Sequence, residues 1–296
     1  MLFCATVDDV CLDGYSTADH FAALLDFFGE QGVRATFFTV PRSLGIPIDL
    51  RKEYIPLLRR AVREGHDIAQ HGLEHDRFET GIPPRMILDL PHEGPARERL
   101  ANDRAAIEAS LRTEQIRERL QTGRTILQDS LGSNVVGFRA PCCSTCPNLF
   151  DALEAEGFRY DSSRFLQETG WDIINDRQPI VPRPITRETH DAALYPGRMR
   201  TFPLTTEYTW YPTWKKFDVT MDLAKHDFTA CLRAGIPFVP VAHVSPVFEG
   251  EDGCGLEFYR RLLDFARQEA KASGQEVRAV TLREACDTES GAGRVQ

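Results

Sequence analysis

The chain has 296 residues, a formal net charge of −9, 42% hydrophobic and 27% charged residues, a globular balance with room for one large α/β domain or two small ones. No apolar stretch approaches the ~20 residues of a membrane span, and Lys and Arg are scattered, which argues against a nucleic-acid partner because phosphate binding needs a clustered basic face. The first residues lack a basic segment followed by an apolar one, so no secretory signal and a cytoplasmic location are expected.

The first apolar run, residues 2–7, stops at two adjacent acids, Asp8 and Asp9. One acid would suffice to end a strand in water. The next segment places Phe21, Leu24, Leu25 and Phe28 on one helical face. Ser16 or Thr17 can cap its start and Gly29 or Gly32 its end. Further strands are predicted at 34–40, 67–70, 135–138, 158–160, 236–242 and 277–282, and further helices at 52–64 and around Phe258, Leu262, Phe265 and Ala266. Residues 77–98, rich in Pro and charge, read as an insertion, followed by a charged helical stretch at 99–129. Residues 172–212 are Pro-rich, with Trp171, Trp210 and Trp214 in or beside them, and read as an excursion over one end of the fold. Strands alternating with helices imply parallel pairing through crossovers. Seven or so such units predict a closed or nearly closed α/β barrel. The competing open doubly wound sheet lacks a GxGxxG after the first strand. No internal repeat appears, so 1–296 is expected as one catalytic domain with insertions near 77–112 and 165–215.

The eight cysteines are expected as reduced thiols. Cys143-Ser-Thr-Cys146 has CxxC spacing and adjoins Cys142, but no second pair completes a zinc knuckle.

Five predicted strands end in chemistry: Asp8-Asp9, His71 with His75 four residues on, Arg139, Asp161 and His243. In parallel α/β barrels that end holds the active site, because the βα loops converge there. His71-Gly-Leu-Glu-His75 also matches the HxxEH of helical peptidases, with Glu74 as base, although Gly72 is a poor helix former. Catalytic zinc takes about three protein ligands. Two histidines and one aspartate can supply them, leaving the second aspartate as general base on water, with Arg139 a candidate to orient it.

TVDD, HGLEH, FRAP, RYDSS and VAH occur in an order that resembles the polysaccharide deacetylases (carbohydrate esterase family 4, the NodB homology domain). The resemblance implies a distorted (β/α)7 barrel and one divalent metal, zinc first, with Co, Mn or Ni as substitutes. It implies Asp8 as base, Asp9, His71 and His75 as metal ligands, and Arg139 as the residue that orients the base. His243 is implied as general acid, held and tuned by Asp161. There are departures. Val7 and Val241 replace Phe and Leu, Gly72 stands where Ser or Thr commonly pins the metal loop, and no Trp follows Asp161. Cys142 and Cys143 follow Pro141 where an aromatic or Gly is usual.

The implied activity is metal-dependent removal of an N-acyl group, N-acetyl first, from an amino sugar or glycan. A backbone N–H near Cys142 is a candidate oxyanion donor, and Pro141, Cys142, Tyr160, Trp171 and Trp210, with Trp214, are the candidate substrate wall. The alternatives are a deformylase or other C–N amide hydrolase on a small or lipid-linked substrate, the HxxEH peptidase, and a non-catalytic carbohydrate-binding protein.

Overall fold

The computed structural model describes residues 1–292. Its centre is a seven-stranded sheet of β1 (Thr6–Val10), β2 (Thr36–Thr39), β3 (Asp67–His71), β4 (Gly137–Arg139), β5 (Tyr160–Asp161), β6 (Arg200–Thr201) and β7 (Val241–His243). The spatial order is β7-β1-β2-β3-β4-β5-β6, and every pair is parallel. The sheet curls into the expected distorted (β/α)7 barrel. Residues 202–207 span the gap between its edges, with parallel bridges from Leu204 to Phe165 and from Glu207 to Val241.

Parallel strands need crossovers. The helices between the strands are α1 (Ala18–Gln31), α2 (Ile55–Arg63), α3 (Gly94–Ala109), α4 (Thr113–Leu131), α5 (Pro147–Ala155) and α6 (Trp214–Ala234), and α7 (Cys254–Ser273) follows β7. The α1 helix shows why they form. Thr17 Oγ1 accepts from the His20 N–H at 3.1 Å, Gly32 ends the helix in a left-handed conformation, and Phe21, Leu24, Leu25, Phe27 and Phe28 are buried. Phe28 and Phe21 meet Phe37 of β2 edge-on, and Phe3, Phe228 and Phe238 form a second aromatic group. Full burial of each such ring stabilises the fold by roughly 1.5–3 kcal/mol.

Two expectations are corrected. The run at 277–282 yields only Arg278–Ala279, which pairs with Leu2–Phe3 outside the barrel. The seventh barrel strand is β6, inside the 165–215 excursion, where Arg200 and Thr201 align with Tyr160 and Asp161. A two-residue strand has no apolar run to announce it. The charged helical stretch expected at 99–129 is present as two helices, α3 and α4, with Ser110 capping the first. Cys11, Cys142, Cys143, Cys146, Cys231 and Cys254 are free thiols. Among the described residues no helix is long and apolar enough to cross a membrane.

Candidate active site

Adjacent strand residues normally face opposite sides of a sheet. In β1 they do not. The register against β2 slips between Val7 and Val10, so Asp8 and Asp9 together oppose one residue, and Asp9 adopts a left-handed φ of 66°. This β-bulge re-aims a side chain and brings both carboxylates to one pocket. The Asp9 Oδ1 atom lies 3.4 Å from His71 Nε2 and 3.1 Å from His75 Nε2. Asp8 Oδ2 stands 4.0 Å from His71 Nε2.

His71 ends β3, and its Nδ1 lies 2.9 Å from the Arg139 carbonyl. A carbonyl only accepts, so Nδ1 carries the proton and Nε2 presents its lone pair toward Asp9. The HGLEH segment is a tight loop, not a helix: Gly72 and His75 are both left-handed, at φ 63° and 62°. Buried Glu79 holds it. Its carboxylate accepts from the N–H groups of Leu73, Glu74 and His75, each at 3.1 Å. A Cβ on residue 72 would stand 1.8 Å from Glu79 Oε1. The glycine therefore makes room for a carboxylate that pins the loop. Burial pushes Glu79 up to about 7, against the pull of those N–H donors and of His75.

Arg139 ends β4 and is fully buried. Its Nη1 donates to Asp8 Oδ1 at 2.6 Å and to Thr6 Oγ1 at 3.0 Å. Its Nε and Nη2 donate to the carbonyl and hydroxyl of Ser162 at 2.8 and 2.7 Å. The guanidinium lies 4.0 Å from the Phe38 ring centroid. Every edge of the cation is engaged, so its grip on Asp8 is rigid.

His243 ends β7, where Glu207 rather than Asp161 holds it: Nδ1 and Glu207 Oε2 are 2.7 Å apart. Burial lowers the pKa of the imidazole, but the Glu207 hydrogen bond, with Asp9 and the Glu207 charge behind it, lifts it to about 9. Asp161 instead accepts from Ser163, whose Oγ in turn accepts from the Ala140 N–H at 2.8 Å. It thus braces the turn after Arg139, and burial raises it to about 6.

The other sequence candidates divide. Cys142, Trp171 and Trp210 line the pocket above the acids and histidines. Tyr160 does not; it is fully buried in the core, its hydroxyl donating to Asp67. Pro141 is buried against Gly72, and Trp214 stacks on Phe217 at the start of α6. Glu74 pairs with Arg42 at 2.7 Å and is 44% exposed. It lines a separate surface groove with Asp76 and Arg119, so the base position of an HxxEH peptidase is not filled. Burial raises the Cys142 thiol to about 12, which removes it as a nucleophile at neutral pH. Sequence reading missed Glu79 and Glu207, and also Ile87, Leu90 and Glu93 of the insertion, which line the pocket.

Asp9, His71 and His75 offer one ligand atom each within 4.8 Å of one another. Among the described residues Asp9 Oδ1 is buried with no hydrogen-bond partner. Burial raises its pKa, but the nearby charge of His75 holds it well below the usual range. Ligand bonds of about 2.0–2.1 Å around a tetrahedral zinc ion separate neighbouring ligand atoms by roughly 3.3 Å, the spacing seen between Asp9 and the two imidazoles. One carboxylate and two imidazoles leave a fourth position open. The residues fit a catalytic divalent cation.

The family model described as Polysaccharide deacetylase matches residues 4–160, more than half of the chain. No curated protein matches. Among solved structures, a Mycobacterium smegmatis protein provisionally named a polysaccharide deacetylase is similar at 15% identity, with 97% of this chain and 89% of that one covered and a TM-score of 0.56. A family 4 acetyl xylan esterase from Clostridium thermocellum, in complex with a cobalt ion, is similar at 17% identity, 98% and 92% coverage, and a TM-score of 0.50. A Bacillus anthracis protein described as a family 4 pseudoenzyme aligns at 13% identity, 97% and 65% coverage, and a TM-score of 0.48. At these identities the Mycobacterium smegmatis and Clostridium thermocellum structures speak for the fold alone, and the family match, running from just before β1 to the start of β5, makes the chain a member of the polysaccharide deacetylase family.

Proposed function

We propose that the chain is a metal-dependent hydrolase that removes an N-acyl group, with a divalent cation held by Asp9, His71 and His75. The observation that carries this reading is the division of labour between the paired acids. Asp9 faces two imidazoles, while Asp8 is held by Arg139 and turns its other oxygen toward the same space. A bound divalent cation supplies Lewis acidity, polarising an acyl carbonyl and lowering the pKa of water.

The protein's own groups do the rest. Asp8 takes a proton from the attacking water as its oxygen bonds to the acyl carbon, and Arg139 fixes the angle at which Asp8 does so. The C–N bond then breaks, and the nitrogen needs a proton. His243, with Nδ1 tied to Glu207, presents Nε2 to donate it. A histidine whose pKa is lifted to about 9 is mostly protonated at neutral pH, as an acid must be. Products are the free amine and the carboxylic acid.

The direct test is release of acetate or formate from N-acyl amines by wild type, Asp8→Asn and His243→Ala. General acid–base groups are each worth roughly 10²–10⁴-fold, so both variants should lose that much of kcat while Asp8→Asn keeps its metal. Wild type that releases neither acid from any N-acyl amine, or variants that match it, would contradict the proposal.

A further inference from the structure

A polymer-acting hydrolase needs open groove on both sides of the reacting unit. Here that space is roofed. The pocket above Asp8, Asp9 and His243 is walled by Ile87 and Leu90 from the 77–112 insertion and by Trp171 and Trp210 from the 165–215 excursion. The two walls are in contact: Met86, Ile87, Leu90 and Trp171 form one buried apolar cluster, against which Cys142 and Trp210 pack. Trp210 also lies 5.6 Å from the Tyr15 ring centroid, 6.2 Å from that of His92 and 4.6 Å from that of His243. It links the roof to the proposed acid.

The roof is anchored. Arg77 holds Glu93 through two nitrogens, at 2.8 and 3.0 Å. Arg97 donates to the Leu90 carbonyl at 2.9 Å, and Asn175 donates to the Trp171 carbonyl at 2.8 Å. The cavity beneath the roof measures ≈ 70 Å³, room for a compact group and not for a chain running through it. Its upper wall is apolar and aromatic, and its one guanidinium, Arg77, is already paired with Glu93, so nothing there selects for net charge.

Resting on the proposed N-acyl hydrolysis, we infer that the substrate is a compact, uncharged N-acyl compound, about one ring in size, which enters end-on with an apolar or aromatic flank against Leu90, Trp171 and Trp210, and is not an internal unit of a polysaccharide. The amide reaches the floor while the ring stays under the roof. A glycan continuing in both directions would have to part Ile87 and Leu90 from Trp171 and Trp210.

Two of the three tryptophans line this pocket, so binding can be read without turnover. The experiment titrates the full-length, zinc-loaded protein with acetanilide, N-acetylglucosamine and chitotetraose, following tryptophan fluorescence, and measures acetate release from each in parallel. The inference predicts saturable binding of the single-ring amides, at least ten-fold tighter than that of chitotetraose. An Ile87→Ala, Leu90→Ala double variant should narrow that ratio at least ten-fold. Should the variant not fold, as checked by circular dichroism, the wild-type comparison decides alone. Chitotetraose binding as tightly as the single-ring amides, or no saturable binding by any of them, overturns the inference. Tight binding of the small amides with no acetate released would leave the pocket assignment standing and overturn the proposed reaction instead.

Discussion

Glu207→Gln is the most informative single change. Glu207 is fully buried, with Oε2 2.7 Å from His243 Nδ1 and Oε1 accepting from Thr209. His243 sits at about 9 where an ordinary imidazole sits at 6.5. At 1.36 kcal/mol per pH unit, that difference is roughly 3 kcal/mol in favour of the imidazolium, net of the burial penalty. The ring is only 13% exposed, so solvent screens little of it. Asp9 and Asp8 share in the effect, and a cation on Asp9 offsets part of their share, which leaves the Glu207 hydrogen bond as the contribution that persists in the loaded enzyme. Glutamine keeps the shape and removes the charge. The acid is active when protonated, so activity is lost as pH rises through the His243 pKa, and lowering that pKa moves the loss to lower pH. The alkaline limb of kcat/KM should fall by at least one pH unit, costing about two-fold at pH 8 and approaching ten-fold above about pH 10. NMR titration of the His243 Hε1 proton should show the same displacement. Stability follows the same sign: the contribution of the pair is fully present below about pH 6.5 and is lost as pH rises through about 9. An unchanged limb together with an unchanged titration would refute the assignment of Glu207 as the partner that tunes His243.

Other changes test the remaining parts. Gly72→Ala meets both a left-handed φ and the Glu79 carboxylate at 1.8 Å; it should lower the melting temperature and cut metal affinity roughly 10–100-fold, the usual cost of disturbing groups that orient metal ligands. Glu79→Ala strips three N–H groups of their acceptor and should cost about 1–3 kcal/mol per group left unpaired and dry, measured by urea unfolding. Tyr160→Phe removes the donor to buried Asp67 and should cost about 1–3 kcal/mol of stability while leaving kcat/KM unchanged, separating a core role from a substrate role. Glu74→Gln, on an exposed ion pair with Arg42, should leave acetate release within about two-fold.

What could be read in the sequence was local. His71, Arg139 and His243 each end a barrel strand, Asp8-Asp9 stand just before the end of β1, and His75 follows β3 by four residues, so a word of four or five letters carries both the strand and the group near its tip. The bulge that turns Asp8 and Asp9 to one side left a trace as well, because two adjacent acids make poor sense on opposite faces of a buried strand. Glu207 left none. It stands in a Thr-rich run without an apolar strand pattern, and it meets His243 only because residues 202–207 close the barrel between β6 and β7. The family resemblance implies that role for Asp161; the fold directs it to Ser163 and the Arg139 turn. Gly72 looks in sequence like the loss of a hydroxyl pin. In the structure it is the space occupied by the Glu79 carboxylate, which a turn seven residues later folds back over the loop. The roof of the pocket comes from the two segments whose composition gave no periodic pattern, so their meeting over the site is a tertiary fact.

The central claim is that the strand-end constellation holds a metal and hydrolyses an amide. Elemental analysis of purified wild type, Asp9→Ala and His71→Ala, with acetate release assayed on the same samples, tests it most directly. The account predicts about one transition metal per wild-type chain, lost from both variants together with the activity. Wild type that stays free of metal after incubation with zinc, cobalt and manganese, or variants that keep both metal and activity, would contradict it.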